Sequence, residues 1–278
     1  TAYEIPKRDW SSDVCSSDLF EDMNWAPSTY DLSGTKLHVS RAGKGKPVLV
    51  LHHETGTLDR LPFYDALAAK YDVLVPHHPG YSRSQRPDWM RSVRDIAVAY
   101  RGLLSELKIA NAALVGLGFG GWIAAEMAGM APADLSKLVL VGAMGIKPPQ
   151  GDILDLAITG YIDYARAGFH DQKAFDKVYG AEPSNEQLEM WDICREMSFR
   201  IAWKPYMYSQ TLPHLLGAVK VPSLVVWGDD DKVVPLSAGK RYVEALPNAK
   251  LEIVKACGHC VDMEQPEALA KLVTNFIG

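Results

Sequence analysis

The sequence predicts an α/β protein with a doubly wound, mostly parallel sheet of about eight strands and an inserted helical cap. Three observations carry that expectation. Apolar runs that read as strands alternate with segments of helical periodicity. Several runs, such as 47–51 and 223–227, are continuously apolar rather than alternating, as strands covered on both faces must be. Val115-Gly-Leu-Gly-Phe-Gly-Gly-Trp122 joins an apolar run to a helical run of small residues, which describes a strand, a very tight turn and a helix. With 278 residues, 47% of them hydrophobic, the chain can bury one large core plus an insertion.

Residues 1–27 read as an N-terminal extension. Within it, Ser11-Ser-Asp-Val-Cys15-Ser-Ser-Asp-Leu19 is nearly self-repeating and without periodicity. It also matches the translation of a common sequencing-adaptor DNA, so it is expected to be an assembly artefact of a metagenome-type sequence that leaves Cys15 without functional meaning. Two short strands at 29–32 and 36–41, joined by Ser-Gly, open the core (28–144 and 216–278) as a hairpin. The buried strand 47–52 follows, then a helix at 61–70, a strand at 72–75, a helix at 92–107, a strand at 112–115, a helix at 123–130 and a strand at 137–142. From 145 to 215 no strand run occurs, and apolar residues at helical spacing, rich in Tyr, Trp and Met, predict the cap. The rhythm then resumes with a strand at 223–228, a helix at 236–246, a strand at 250–254 and a final helix at 265–277.

A net charge of -5 and scattered Lys and Arg exclude a nucleic-acid surface. No run approaches the roughly 18 apolar residues of a membrane span, and the first residues show no signal-peptide pattern. The expectation is a cytoplasmic protein whose partner is a small molecule, with a homodimer left open. Cys257-Gly-His-Cys260 has the spacing of a redox motif, but only 18 residues follow it, too few to complete a thioredoxin-type domain. The second Cys-x-x-Cys that a four-ligand zinc site needs is missing.

Chemistry concentrates in the turn at 116–121 and in two late loops. The glycines at 116, 120 and 121 fit a G-x-S-x-G elbow, whose nucleophile position is Gly118. Gly228-Asp-Asp-Asp231 and Gly258-His259 each follow a late strand. A histidine near neutral pKa can take and return a proton, and a buried carboxylate fixes its tautomer and steadies the imidazolium. In these motifs and their order the chain, over about residues 28–278, resembles the α/β-hydrolase fold superfamily, as a member with Gly in place of the nucleophilic Ser. The resemblance implies Asp231 as the acid, His259 as the base, and the backbone amides of Phe119 and Glu54 as oxyanion donors. Asp229 and Asp230 read as solvated loop carboxylates, and Asp262 as a cap of the last helix.

The loop His52-His53-Glu54-Thr55-Gly56 departs from the family's usual His-Gly-x-x-Gly, so His53 is expected to narrow the pocket, and His77 stands where the family's next turn has Asp. Four histidines and a Glu on neighbouring loops invite a metal, but adjacent histidines diverge and none forms a helical i, i+4 pair. No metal and no cofactor are expected, and His52 is expected to bridge the loops by hydrogen bonds. Trp203, Tyr206 and Met207 are expected to wall the pocket. Three readings of Gly118 stay open. His259 with Asp231 activates water or a substrate proton on a small, mostly apolar ester or carbonyl compound; the protein is a non-catalytic binder of a small ligand; or glycine replaces Ser in an ordinary esterase. If Asp231, His259 and the Phe119 amide sit where the resemblance implies, Gly118→Ser is expected to give a burst with activated aryl esters and labelling by an organophosphonate.

Overall fold

The computed structural model describes residues 24–278; Cys15 and the segment 11–19 lie outside the described residues. Eight strands form one sheet: β1 (Ala26–Leu32), β2 (Thr35–Ala42), β3 (Pro47–Leu51), β4 (Asp72–Pro76), β5 (Ala112–Leu117), β6 (Leu135–Val141), β7 (Ser223–Gly228) and β8 (Ala249–Val254). Their order is β1-β2-β4-β3-β5-β6-β7-β8. β2 pairs antiparallel with β1 and β4, and the remaining neighbours are parallel. This is the doubly wound, mostly parallel sheet the sequence predicts.

The continuous apolar runs acquire their reason here. β5 and β7 are buried at all six of their positions. Alternate residues of each strand enter different cores, Leu49, Leu51 and Leu114 one, Val48, Val50 and Val115 the other. Helices α2 (Val93–Glu106), α3 (Phe119–Met130) and α8 (Leu236–Ala245) cover the first core; α1 (Pro62–Ala68) and α10 (Pro266–Ile277) cover the second. A side chain that must be apolar on either face cannot alternate with a polar one. α2 is fixed at its start by a capping box between Ser92 and Asp95. Between β6 and β7 run α4 (Tyr161–Ala167), α5 (Gln172–Tyr179), α6 (Asn185–Ala202) and α7 (Leu212–Leu215), while the short α9 (Val261–Glu264) precedes α10. Among the described residues no helix is long and apolar enough to cross a membrane.

α3 starts at Phe119, earlier than the sequence pattern suggests, and Gly120 and Gly121 are already inside it. Its first turn lies directly on β3: Gly120 N–H donates to His52 C=O at 2.9 Å. A Cβ at 120 would stand 2.1 Å from the Leu51 carbonyl oxygen. Backbone cannot yield by that much, so Gly120→Ala should destabilise by more than about 3 kcal/mol, or prevent folding, as read from urea unfolding. A loss under about 1 kcal/mol contradicts the contact.

His52 bridges loops as expected, in a lattice whose proton positions are determined. His78 N–H donates to His52 Nε2 at 2.9 Å, so His52 carries its proton on Nδ1, which meets His53 C=O at 2.7 Å. His78 Nε2–H in turn meets His52 C=O at 3.0 Å, leaving Nδ1 to accept from Tyr100 Oη at 2.6 Å. The two rings stack at 3.6 Å, both neutral. Burial pushes His78 down from 6.5 to about 3. The unfolded chain therefore takes up a proton near pH 6.5 that the folded chain refuses until about 3, and stability present above pH 6.5 is lost as pH falls. From His78 alone the slope is about 1.4 kcal/mol per pH unit below 6.5. Urea titrations at descending pH check this; stability that holds constant from pH 6.5 to about 5 contradicts the neutral lattice.

Candidate active site

The participating side chains sit on loops that follow strands, and Asp231 is held by backbone hydrogen bonds. After β7, Asp231 Oδ1 accepts from the N–H groups of Val233 and Val234 at 2.9 and 2.8 Å, which turns Oδ2 toward His259. After β8, His259 Nδ1–H donates to that oxygen at 2.8 Å. The hydrogen bond fixes the tautomer and aims His259 Nε2 into the site, buried and without a hydrogen-bond partner. Burial acts to lower the His259 pKa, but the charge and hydrogen bond of Asp231, helped by Glu54 and Asp262, outweigh it and raise it to about 9. The imidazolium is thus the stabilised form.

The loop after β3 supplies the other half. A turn closed by Gly56 N–H to His53 C=O presents His53 and Glu54 together. His53 Nε2 meets Asp262 Oδ1 at 2.8 Å, and its Nδ1 is a second buried ring nitrogen without a partner. Glu54 Oε1 accepts from Tyr164 Oη at 2.9 Å and lies 3.9 Å from His259 Nε2. Glu54 Oε2 accepts from Phe119 N–H at 3.4 Å. These groups converge on Gly118, the residue before α3, with φ of +51°. A Cβ there would lie 2.5 Å from His53 Nδ1, 2.8 Å from Glu54 Oε2 and 2.9 Å from His259 Nε2. The vacated side-chain position is ringed by two imidazole nitrogens and a carboxylate.

The structure brings together His259, Asp231, Gly118, Phe119, Glu54 and His53, and departs from the sequence reading in several roles. Glu54, expected to act through its backbone amide, places its carboxylate in the site, where it engages the Phe119 amide that the same reading reserved for an oxyanion. Asp262 is fully buried against His53 instead of capping the last helix. The three residues expected to wall the pocket are engaged elsewhere in the helical segment. Trp203 is 55% exposed, against Phe199 and Tyr206 on the outside of the helical segment. The Tyr206 hydroxyl is taken up by Leu154 C=O and Leu156 N–H, and Met207 is buried where its C=O accepts from Gly145 N–H. None of the three lines the small cavity beside His259, which is walled instead by Glu54, Tyr164, Phe169, Tyr179 and Val233 and holds ≈ 10 Å³, about one water. Glu264 ties this wall to the histidine loop: its carboxylate accepts from Gly258 N–H at 2.7 Å and from His170 and Asp171 N–H at 3.1 and 2.6 Å.

Residues outside the cluster fall into place. Asp230 pairs with His170 and Lys232 at the surface. His77 faces Asp59 and His38. Cys257 and Cys260 are buried free thiols that burial pushes above the ordinary thiol range, the opposite of what a redox nucleophile needs.

A doubly wound sheet carrying a strand–glycine turn–helix elbow, followed in chain order by an acid and a histidine in contact, defines a class of enzyme scaffolds. A model of the alpha/beta hydrolase family matches residues 48–272, and the chain belongs to that family. The chain is 30% identical to a 2-hydroxy-6-oxononadienedioate/2-hydroxy-6-oxononatrienedioate hydrolase of Paraburkholderia phymatum, covering 88% of this chain and 92% of that protein. To a 2-hydroxy-6-oxo-6-phenylhexa-2,4-dienoate hydrolase of Comamonas testosteroni it is 28% identical, over 90% and 94%. Among solved structures, a meta-cleavage product hydrolase from Pseudomonas fluorescens IP01 superposes with a TM-score of 0.74 at 22% identity, over 90% of this chain and 96% of that one. A bacterial membrane phospholipase A superposes with 0.77 at 21%, over 91% and 86%, so at this distance the likeness is one of fold.

The crowding at 118 weighs against the expectation that the serine in Gly118→Ser gains esterase activity. Its Cβ would press on His53 and Glu54, and its backbone would keep a positive φ, so Gly118→Ser should lose about 1–3 kcal/mol of stability. It should also show no burst with activated aryl esters and no labelling by an organophosphonate. A stoichiometric burst contradicts this geometry.

Proposed function

We propose that this protein is a hydrolase of a small, mostly apolar ester or carbonyl compound in which water attacks the carbonyl carbon directly, with no covalent intermediate. The observation that carries the reading is the pairing of an intact His259–Asp231 dyad with a nucleophile position that holds no side chain. With His259 in its neutral form, water approaching Nε2 gives up a proton to it while its oxygen adds to the carbonyl carbon. The carbonyl oxygen takes up the negative charge and competes with Glu54 for the Phe119 N–H. Collapse of the tetrahedral adduct breaks the bond to the leaving carbon or oxygen, and His259 returns the proton to it. Asp231 steadies the imidazolium between the two steps.

The relatives' names support a substrate class: 2-hydroxy-6-oxo dienoates and dienedioates. A cavity of about one water does not admit such a molecule, so the helical segment 145–215 acts as a cap whose α4–α5 wall moves aside for substrate. The crowding of His53 and Glu54 around 118 argues against an ordinary serine esterase that has lost its Ser by substitution, since the surroundings fit glycine.

Turnover of 2-hydroxy-6-oxo-dienoates and aryl esters, followed by absorbance, tests the reading. Wild-type protein should turn over without a burst, His259→Ala should lose at least about 100-fold in kcat, and Asp231→Asn should lose activity while staying folded. Saturable binding of these compounds with no turnover would instead establish a non-catalytic ligand-binding member of the fold.

A further inference from the structure

We infer that His53, Glu54 and His259 form a binding site for one divalent transition-metal ion, at the position a nucleophile side chain vacates. Their donor atoms, His53 Nδ1, a Glu54 carboxylate oxygen and His259 Nε2, all lie within 4.8 Å of one another and are all buried. Both ring nitrogens are buried without a hydrogen-bond partner, and each becomes a donor to a metal once its proton is displaced. The opposite nitrogen of each ring is engaged by its own carboxylate at 2.8 Å, His53 by Asp262 and His259 by Asp231. Carboxylate behind imidazole is the arrangement that orients metal-ligating histidines and raises their basicity.

Charge points the same way. Asp231 is met by two backbone N–H groups and His259, Asp262 by His53, and Glu54 by Phe119 N–H and Tyr164. Three buried carboxylates thus surround two imidazoles, and a dication compensates them. Two imidazoles and one carboxylate suit Zn²⁺, Fe²⁺ or Co²⁺ rather than the all-oxygen shells of Ca²⁺ and Mg²⁺. A second cluster, His38, Asp59 and His77, has similar donors, but Arg83 already holds Asp59 at 2.7 Å and supplies the cation there.

Three protein donors leave coordination positions for water or a substrate oxygen, the composition of a catalytic rather than a structural site. The ion supplies Lewis acidity that lowers the pKa of bound water toward neutrality, the displaced proton passing to solvent. The inference rests on the proposed hydrolase for the reaction alone and changes one role in it: with the ion bound, His259 would be a ligand steadied by Asp231, the ion would activate the water, and the leaving group would take its proton from solvent. Gly118 is part of the site because a Cβ would stand among the three donors.

Chelator-stripped full-length protein, titrated with Zn²⁺ by calorimetry and with Co²⁺ by visible absorption, tests this without substrate. The expected result is one ion per chain, a raised Tm, and d–d bands of a low-symmetry Co²⁺ site. Affinity should fall by more than about 100-fold in His53→Ala and Glu54→Ala, and by about 10–100-fold in Asp262→Asn. His77→Ala should leave it unchanged, and circular dichroism checks that each variant is folded. Wild-type protein that binds neither ion, or binds them as His53→Ala does, overturns the inference, and for wild type alone no variant need fold. Hydrolysis that survives stripping overturns the ion and keeps the hydrolase. Cluster-dependent binding without turnover keeps the ion and overturns the hydrolase.

Discussion

The close contact between the first turn of α3 and the end of β3 sets the geometry on which the rest depends. Only a residue without a Cβ at 120 permits it, since a Cβ there would stand 2.1 Å from the Leu51 carbonyl oxygen, and Gly120 N–H to His52 C=O ties it. That contact brings the β3 loop against the elbow, so His53 and Glu54 reach the space beside Gly118. The stacked His52–His78 pair, neutral and saturated with hydrogen bonds, then anchors the loop from behind. Backbone packing comes first here, and the chemistry is a consequence of where it puts two side chains.

Electrostatics decides what those side chains can do. Removing carboxylates from water costs several kcal/mol each unless opposite charge or hydrogen-bond donors replace the water. Asp231 has two backbone donors and an imidazole, which accounts for its stable place. Asp262 has His53 on one oxygen and nothing on the other. Glu54 has a neutral tyrosine and one long amide contact. The cluster is under-compensated in positive charge, and the protein retains it beneath a wall of apolar and aromatic residues, where water cannot screen it. Such an arrangement is costly to fold and suited to binding something positive or to moving a proton.

Most of the fold was legible because parallel strands buried on both faces must be apolar throughout, and because glycine is punctuation. Asp231 and His259 were legible from the loops that follow β7 and β8. The rest of the site was not. Glu54 was read for its amide because nothing local shows which way a loop carboxylate turns; that depends on Tyr164, 110 residues away in sequence. Asp262 meets His53 across 209 residues, a pairing no periodicity encodes. The composition around Trp203, Tyr206 and Met207 reports packing without saying which face of a helical segment turns toward the site. Adjacent His52 and His53 diverge, as their spacing implies; that His53 instead faces the ring of His259 is set by tertiary structure.

The central claim is that two imidazoles turn unpartnered nitrogens toward one another around Gly118, and the tautomer of His53 tests it most directly. Long-range ¹H–¹⁵N correlation spectra of the folded protein should show His53 protonated on Nε2, toward Asp262, with a pyridine-type Nδ1 that shifts when Zn²⁺ is added. A proton found on His53 Nδ1, or an Nδ1 resonance indifferent to the ion, would contradict the account.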